Sequence, residues 1–162
     1  MNEYINYIGI SNQLPTDIKY FKEELFSDII IKSNKLRAIG DIVSVAVDTK
    51  IDSTKILNTS ERTSNEGRKL SGKKLLVEVN LSYNIKYTSN TIEKYLYIIK
   101  HNITKIVYIV VPKEIENTLI EEFLRHKKIQ VQHFIEDLYA QKRTDNSIYL
   151  RTLLLLNANI KI

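Results

Sequence analysis

The stretch LLVEVNLSYNIKY, residues 75–87, decides the fold class. Leu75, Val77, Val79, Leu81, Tyr83, Ile85 and Tyr87 fall at odd positions; Glu78, Asn80, Ser82, Asn84 and Lys86 fall at even ones. Side chains of an extended chain alternate between two faces, whereas a helix would scatter these apolar residues around its circumference. Only Leu76 breaks the alternation. The segment therefore reads as a long strand with one face in a core.

Its neighbours follow the same period. DIVSVAVDTKID (41–52) places Val43, Val45, Val47 and Ile51 on one expected side. EKYLYIIKHNITKIVYIVVP (93–112) is β-branched and aromatic on both faces, and predicts two strands broken near His101–Thr104 and stopped at Pro112. KIQVQHFIEDLY (128–139) and SIYLRTLLLLNANIKI (147–162) predict two more, with a turn around Thr144–Ser147. DIKYFKEELFSDIII (17–31) is ambiguous between helix and strand. In KEIENTLIEEFLRHKK (113–128) the spacing of Ile115, Leu119, Ile120, Phe123 and Leu124 predicts a helix from about Glu114 to His126, with acidic residues early and basic ones late. The expected fold is mainly β, an antiparallel β-sandwich or open barrel with one inserted short helix. A single domain over residues 16–162 follows an N-terminal arm, residues 1–15.

Composition narrows the chemistry. The 162 residues suit one domain, and 43% hydrophobic content is enough for a core. There is no cysteine, which excludes disulfides, thiolate metal ligands and cysteine nucleophiles. Three histidines leave little material for a zinc site, and no metal or cofactor is expected. The formal charge of +5 is mildly basic and mixed, a weak pointer to an anionic partner; nucleic acid is not the expected one. No apolar run reaches the ~18 residues of a membrane span. The opening residues lack the basic-then-apolar pattern of a signal peptide, so synthesis in the cytoplasm is expected.

GRKLSGKK (67–74) contains the spacing G-x-x-x-x-G-K of a phosphate-binding loop. Such a loop must leave a buried strand, open a helix, and place Ser or Thr after the lysine for magnesium. Here that position is Lys74, the preceding stretch NTSERTSNE is polar, and the loop runs into the strand 75–87. Nucleotide binding is rejected. The glycines are expected to serve backbone geometry, and Lys73 to be dispensable for stability.

The same residues carry a family resemblance. EGRKLSGKKLLVEVNLSYNIKY (66–87) resembles the signature of the SPOCS domain, an E-G-x-x-L-[ST]-G-K-K-L motif followed by a strand. AIGDIVSVAVDTKIDSTKILNT (38–59) is similar to the family's preceding strands. VQHFIEDLYAQKRTDNSIYLRTLLLLNANI (131–160), marked by IEDLY, is similar to its closing segment. The likeness runs from about Leu36 to the C-terminus, with the Glu114–His126 helix as an insertion. SPOCS domains occur in endospore-forming anaerobes, in a spore-coat morphogenetic protein where they accompany a peptidoglycan-binding LysM module. The resemblance implies a free-standing SPOCS domain with a structural or interaction role at the spore envelope or spore surface. Its implied partners are further copies of itself or other spore proteins, and it supplies no catalytic residues.

Other candidates for chemistry are weak. Glu136 and Asp137 are neighbours on an expected strand, which would send them to opposite faces. A task accepting hydrogen bonds from a neighbouring loop suits them. His101, His126 and His133 lie on different elements, and no G-x-S-x-G nucleophile motif is present. An enzyme is not expected. Tyr4, Ile5, Tyr7, Ile8 and Ile10 make the arm too apolar for a solvated tail. It either adds a strand to its own domain or, the favoured alternative, pairs with the sheet edge of a second subunit. A second function class remains: a monomeric module binding an anionic ligand, a cell-wall glycan or nucleic acid, through Arg68, Lys69, Lys73 and Lys74.

Overall fold

The computed structural model describes residues 4–31 and 38–162. Two layers, antiparallel except for the short strand β1, form a β-sandwich that does not close into a barrel. The larger sheet orders β1 (Asn6–Ile8), β3 (Ile39–Asn58), β6 (Lys73–Ser89) and β7 (Leu96–Val110). The smaller orders β10 (Ile129–Thr144), β11 (Ser147–Ile160) and β2 (Phe21–Ile31). Short hairpins pair β4 (Arg62–Thr63) with β5 (Lys69–Leu70), and β8 (Glu114–Ile115) with β9 (Thr118–Leu119). A helix, α1 (Ile120–Arg125), follows β9. The segment 17–31, ambiguous in sequence, contributes the strand β2. The lysine-rich stretch 32–36 and Leu36, where the family likeness begins, lie outside the described residues, as does the very start of the arm.

All seven odd-numbered residues from Leu75 to Tyr87 are buried in one core with Phe26, Ile30, Ile148, Leu150, Leu154 and Leu156 of the facing sheet. β6 lies between β3 and β7, and Leu76 stands on its outer face opposite Tyr108. One polar pair crosses the core: the hydroxyls of Tyr83 and Thr152 are 2.7 Å apart. Burial, partly offset by that bond, pushes the Tyr83 phenol up to about 12, so it stays neutral.

β3 departs from the strict alternation. Ile42 pairs with Tyr87 and Ser44 with Lys86, so Val43 is the extra residue of a β-bulge and turns outward while Ile42 is buried. The register also shifts between Ile39 and Ile42, and a further bulge at Asp52 restores the even positions to the inner face. β7 is one continuous strand instead of two, paired with β6 without a break. Its polar residues are ladder members: Asn80 donates to Thr104 Oγ1 at 2.9 Å, and His101 reaches Asp28 of β2. The turn at Thr144–Ser147 is present, with both hydroxyls 2.6 Å apart.

The helix is half the expected length. Glu116 and Asn117 take φ of +48° and +62°, the conformation a two-residue hairpin turn demands, and this turns residues 114–119 into a hairpin. What survives buries Ile120 and Phe123 at one end of the sandwich. It closes with Lys127 at φ +55° and a bond from the Lys128 N–H to the Phe123 carbonyl, 2.8 Å.

The arm pairs within its own chain. β1 runs parallel to β3, with Tyr7 beside Val45. Tyr7 Oη accepts from the Ala140 N–H at 3.1 Å, and Ser11 exchanges bonds with the backbone of Ile135 at 2.9 and 3.0 Å. The arm thus stitches β3 to β10 along one flank. Gly9 permits it: with φ +107°, a Cβ there would stand 2.2 Å from the Val47 carbonyl oxygen.

Two outcomes follow. Val77→Asp should cost on the order of 4 kcal/mol or more and abolish the fold, whereas Asn84→Asp should stay within about 0.5 kcal/mol, by urea titration. Gly9→Ala, or removal of residues 1–12, should lower the melting temperature with the far-ultraviolet strand signal retained.

Candidate functional site

The basic loop is built from its hydrogen bonds. The Ser64 N–H donates to the Arg68 carbonyl at 2.7 Å, and the Arg68 N–H donates to Ser64 Oγ at 3.1 Å, closing the β4–β5 hairpin. Gly72 has φ +76°, accepts from the Thr59 N–H at 2.8 Å, and leaves no room for a Cβ, which would meet the Thr59 carbonyl oxygen at 2.8 Å. Ser71 Oγ donates to the Val111 carbonyl, tying the loop to the end of β7.

Lys73 does not belong to a free basic surface. Its ammonium donates to Asn58 Oδ1 at 2.6 Å and to Glu121 of α1, with only 16% of the side chain exposed. Lys73 instead ties the loop to the helix at the end of the sandwich, which argues against its being dispensable. The hydrogen bond from Lys73 holds Glu121 below the ordinary carboxylate range, against an opposing push from burial.

The other three basic residues do converge. Arg68, Lys69 and Lys74 line a groove of about 990 Å³ together with Lys19 and Lys22, which lie just before and within β2. Tyr20, Phe21 and Tyr108 add aromatic surface, and Lys74 Nζ stands 5.9 Å from the Tyr108 ring centre. Of the two carboxylates there, Glu24 is engaged by Lys105 at 2.8 Å. Five cations against one unengaged carboxylate, Glu23, make the groove electropositive. Lys19, Lys22 and Tyr108 gave no sequence signal, since only the packing of the two sheets brings residues 19–24 beside residues 68–74 and 106–112.

A second feature is the flank opposite the arm. There β2 and β7 lie side by side, each the last strand of its sheet. Side chains bridge them: Asp28 to His101 at 2.8 Å, Glu24 to Lys105 at 2.8 Å, and Lys105 Nζ to the Leu25 carbonyl at 3.2 Å. Leu96, Ile98, Ile106, Tyr108 and Val110 of β7 remain exposed on the outer face. Of the arm residues, Ile5 and Tyr7 pack against the core, while Tyr4, Ile8 and Ile10 face outward.

The carboxylate pair forms no acid–base site. A bulge falls at Glu136, and Asp137 accepts from Arg151 of the adjacent strand at 3.1 Å, not from a loop. Burial, then the charge of Glu23, pushes the Glu136 carboxyl up. His126 lies 3.7 Å from Glu122, and His133 is exposed on β10. Among the described residues no three His, Asp or Glu side chains gather as metal ligands, and no helix is long and apolar enough to cross a membrane. Comparison with protein-family models, curated proteins and solved structures finds no match.

Lys73→Ala should lower stability by about 1 kcal/mol, since the Glu121 carboxylate it leaves is partly open to water. The pH dependence has a definite sign. Because the folded-state pKa of Glu121 is depressed, its contribution is present above the unfolded carboxylate value and is lost as pH falls through the folded one. Melting curves from neutral to acid should show that loss in the wild type and not in Lys73→Ala. Gly72→Ala should cost more than Gly67→Ala, where the φ is +80° but the space is open.

Proposed function

We propose that this protein is a SPOCS-type structural domain of the spore envelope, made in the cytoplasm, that associates with itself or with other spore proteins through sheet edges. One observation carries the reading: at the flank of β2 and β7, two long strand edges lie together without a further strand among the described residues. An unpaired edge is a template for another chain's backbone. The exposed apolar residues of β7 beside it would add burial to the hydrogen bonds of such pairing. The likeness of residues 66–87 to the SPOCS signature supports the spore assignment. The work is non-enzymatic: binding energy, not chemistry, is what these surfaces offer.

The electropositive groove favours a second reading, a module that holds an anionic polymer with Arg68, Lys69 and Lys74 as the contact residues. Salt separates the two, since contacts to a polyanion weaken steeply as counterions compete.

Sedimentation across concentration, at low salt and at about 1 M salt, tests the first reading. Self-association that persists in salt and weakens in Ile98→Lys/Ile106→Lys is expected. A chain that stays monomeric but binds dextran sulfate at low salt, and loses it in Lys69→Glu/Lys74→Glu, establishes the second reading instead.

A further inference from the structure

We infer that the free edge of β7 at residues 106–110 takes an extended acidic segment of another protein as an added strand. The inference rests on the sheet-edge association proposed above, and names where along the flank the partner sits and what it is made of. Hydrogen bonding fixes which backbone groups are open there. The Val111 N–H donates to the Lys73 carbonyl at 3.2 Å, and the ladder from Lys74 opposite Val110 runs on without a break. Bonded and non-bonded residues alternate along an antiparallel pair. Val107, Ile109 and Val111 therefore bond to β6, and Ile106, Tyr108 and Val110 turn their N–H and C=O groups to the other side. No strand pairs with β7 on that side among the described residues.

Guards bound this stretch at both ends. Toward the middle of the flank, Lys105 Nζ holds the Leu25 carbonyl at 3.2 Å, and the Ile29 N–H is taken by its neighbour Asp28 at 2.8 Å. Past Val110, Ser71 donates to the Val111 carbonyl, and Pro112 has no N–H to offer. The opening is roughly 17 Å long at ~3.3 Å per residue, room for a short strand.

Charge selects the occupant. The groove along this stretch is lined by Lys19, Lys22, Arg68, Lys69 and Lys74, and its Glu24 is already held by Lys105. A second copy offering the same edge would bring these cations against their equals, at a cost. A nucleic acid or sulfated glycan meets the charge, but its phosphates or sulfates only accept hydrogen bonds and leave the carbonyls of Ile106, Tyr108 and Val110 without donors. An extended peptide of alternating acidic and apolar residues answers both demands. Its backbone pairs with the edge, its carboxylates meet the cations, and its apolar side chains lie beside the exposed Ile106, Tyr108 and Val110.

Fluorescence polarisation of the full chain, with a labelled heptapeptide alternating valine and glutamate in about 50 mM salt, tests this. Binding is expected. It should weaken about tenfold or more in Lys69→Glu/Lys74→Glu. It should be lost by the same peptide N-methylated at every residue, which keeps the charge and removes the backbone donors. Lys69 is exposed and Lys74 half-buried, so an unchanged melting temperature certifies the double variant, and the methylated peptide needs no variant. A methylated peptide that binds as well as its parent overturns the inference, as does an oligonucleotide or dextran sulfate that binds where the peptide does not. Either leaves the groove as a site for polyanions. Sedimentation separates this inference from the reading beneath it. Self-association with no peptide bound overturns the inference alone, and peptide binding by a strictly monomeric chain upholds it and removes self-pairing. A chain that does neither overturns both.

Discussion

Burial of one face of β6 constrains every other element. Seven side chains from Leu75 to Tyr87 enter the same core at a strict two-residue period, and none is more than slightly accessible. A strand so fixed cannot slip by one residue without turning its whole apolar set into water. Its neighbours must therefore adapt to it. β7 does so by keeping an unbroken register through its polar middle. β3 does so by breaking register three times, between Ile39 and Ile42, at Val43 and at Asp52, so that Val45, Val47 and Ile51 face inward over the middle of the strand while Ile42 and Ile56 do so at either side. The bulges are the means by which a 20-residue strand with imperfect alternation follows a 17-residue strand with perfect alternation.

The two flanks of the sandwich are finished by different physics. On one, backbone and hydroxyl bonds from the arm join β3 to β10, and Gly9 lets the arm approach closely enough to make them. On the other, β2 and β7 are joined by charged side chains. Those pairs are partly exposed, and such pairs contribute little each. Cohesion there comes from Phe26 and Ile30 under Val107 and Ile109 in the common core. The carboxylates and cations act more as gatekeepers: Lys105 occupies a carbonyl of β2 that an incoming strand would otherwise use. The flank is guarded at residues 24–28 and 101–105 and open beyond them, which limits where an edge partner can begin.

Legibility in the sequence tracked how local each determinant was. The strand 75–87, the β class and the turn at Thr144–Ser147 depend on periods and turn residues within a few positions, and were readable. The bulges in β3 were not, because Val43 and Ile42 are equally apolar and only the partner strand decides between them. The hairpin at residues 114–119 hid inside a helical spacing; Asn117 in a tight turn was the signal that could have found it. His101–Thr104 read as a break because polar residues in a run suggest a loop, yet His101 is polar to meet Asp28, 73 positions away. Lys73 is the sharpest case. Its place in a glycine-lysine loop suggested a surface cation, and only the return of α1 to the start of β6 makes it a half-buried tether.

That tether also separates the two charged regions of the molecule. With Lys73 committed to Glu121, the basic loop keeps Arg68, Lys69 and Lys74, and these face the groove where β2 begins. On the outer face of the smaller sheet, Asp137 and Arg151 pair with each other across the strands. An excess of cations in a groove attracts any polyanion and recognises none in particular. Charges already paired within the chain offer a partner still less. Discrimination in the groove therefore falls to the β7 edge and to Tyr20, Phe21 and Tyr108, whose rings add a shaped apolar surface beside the charges.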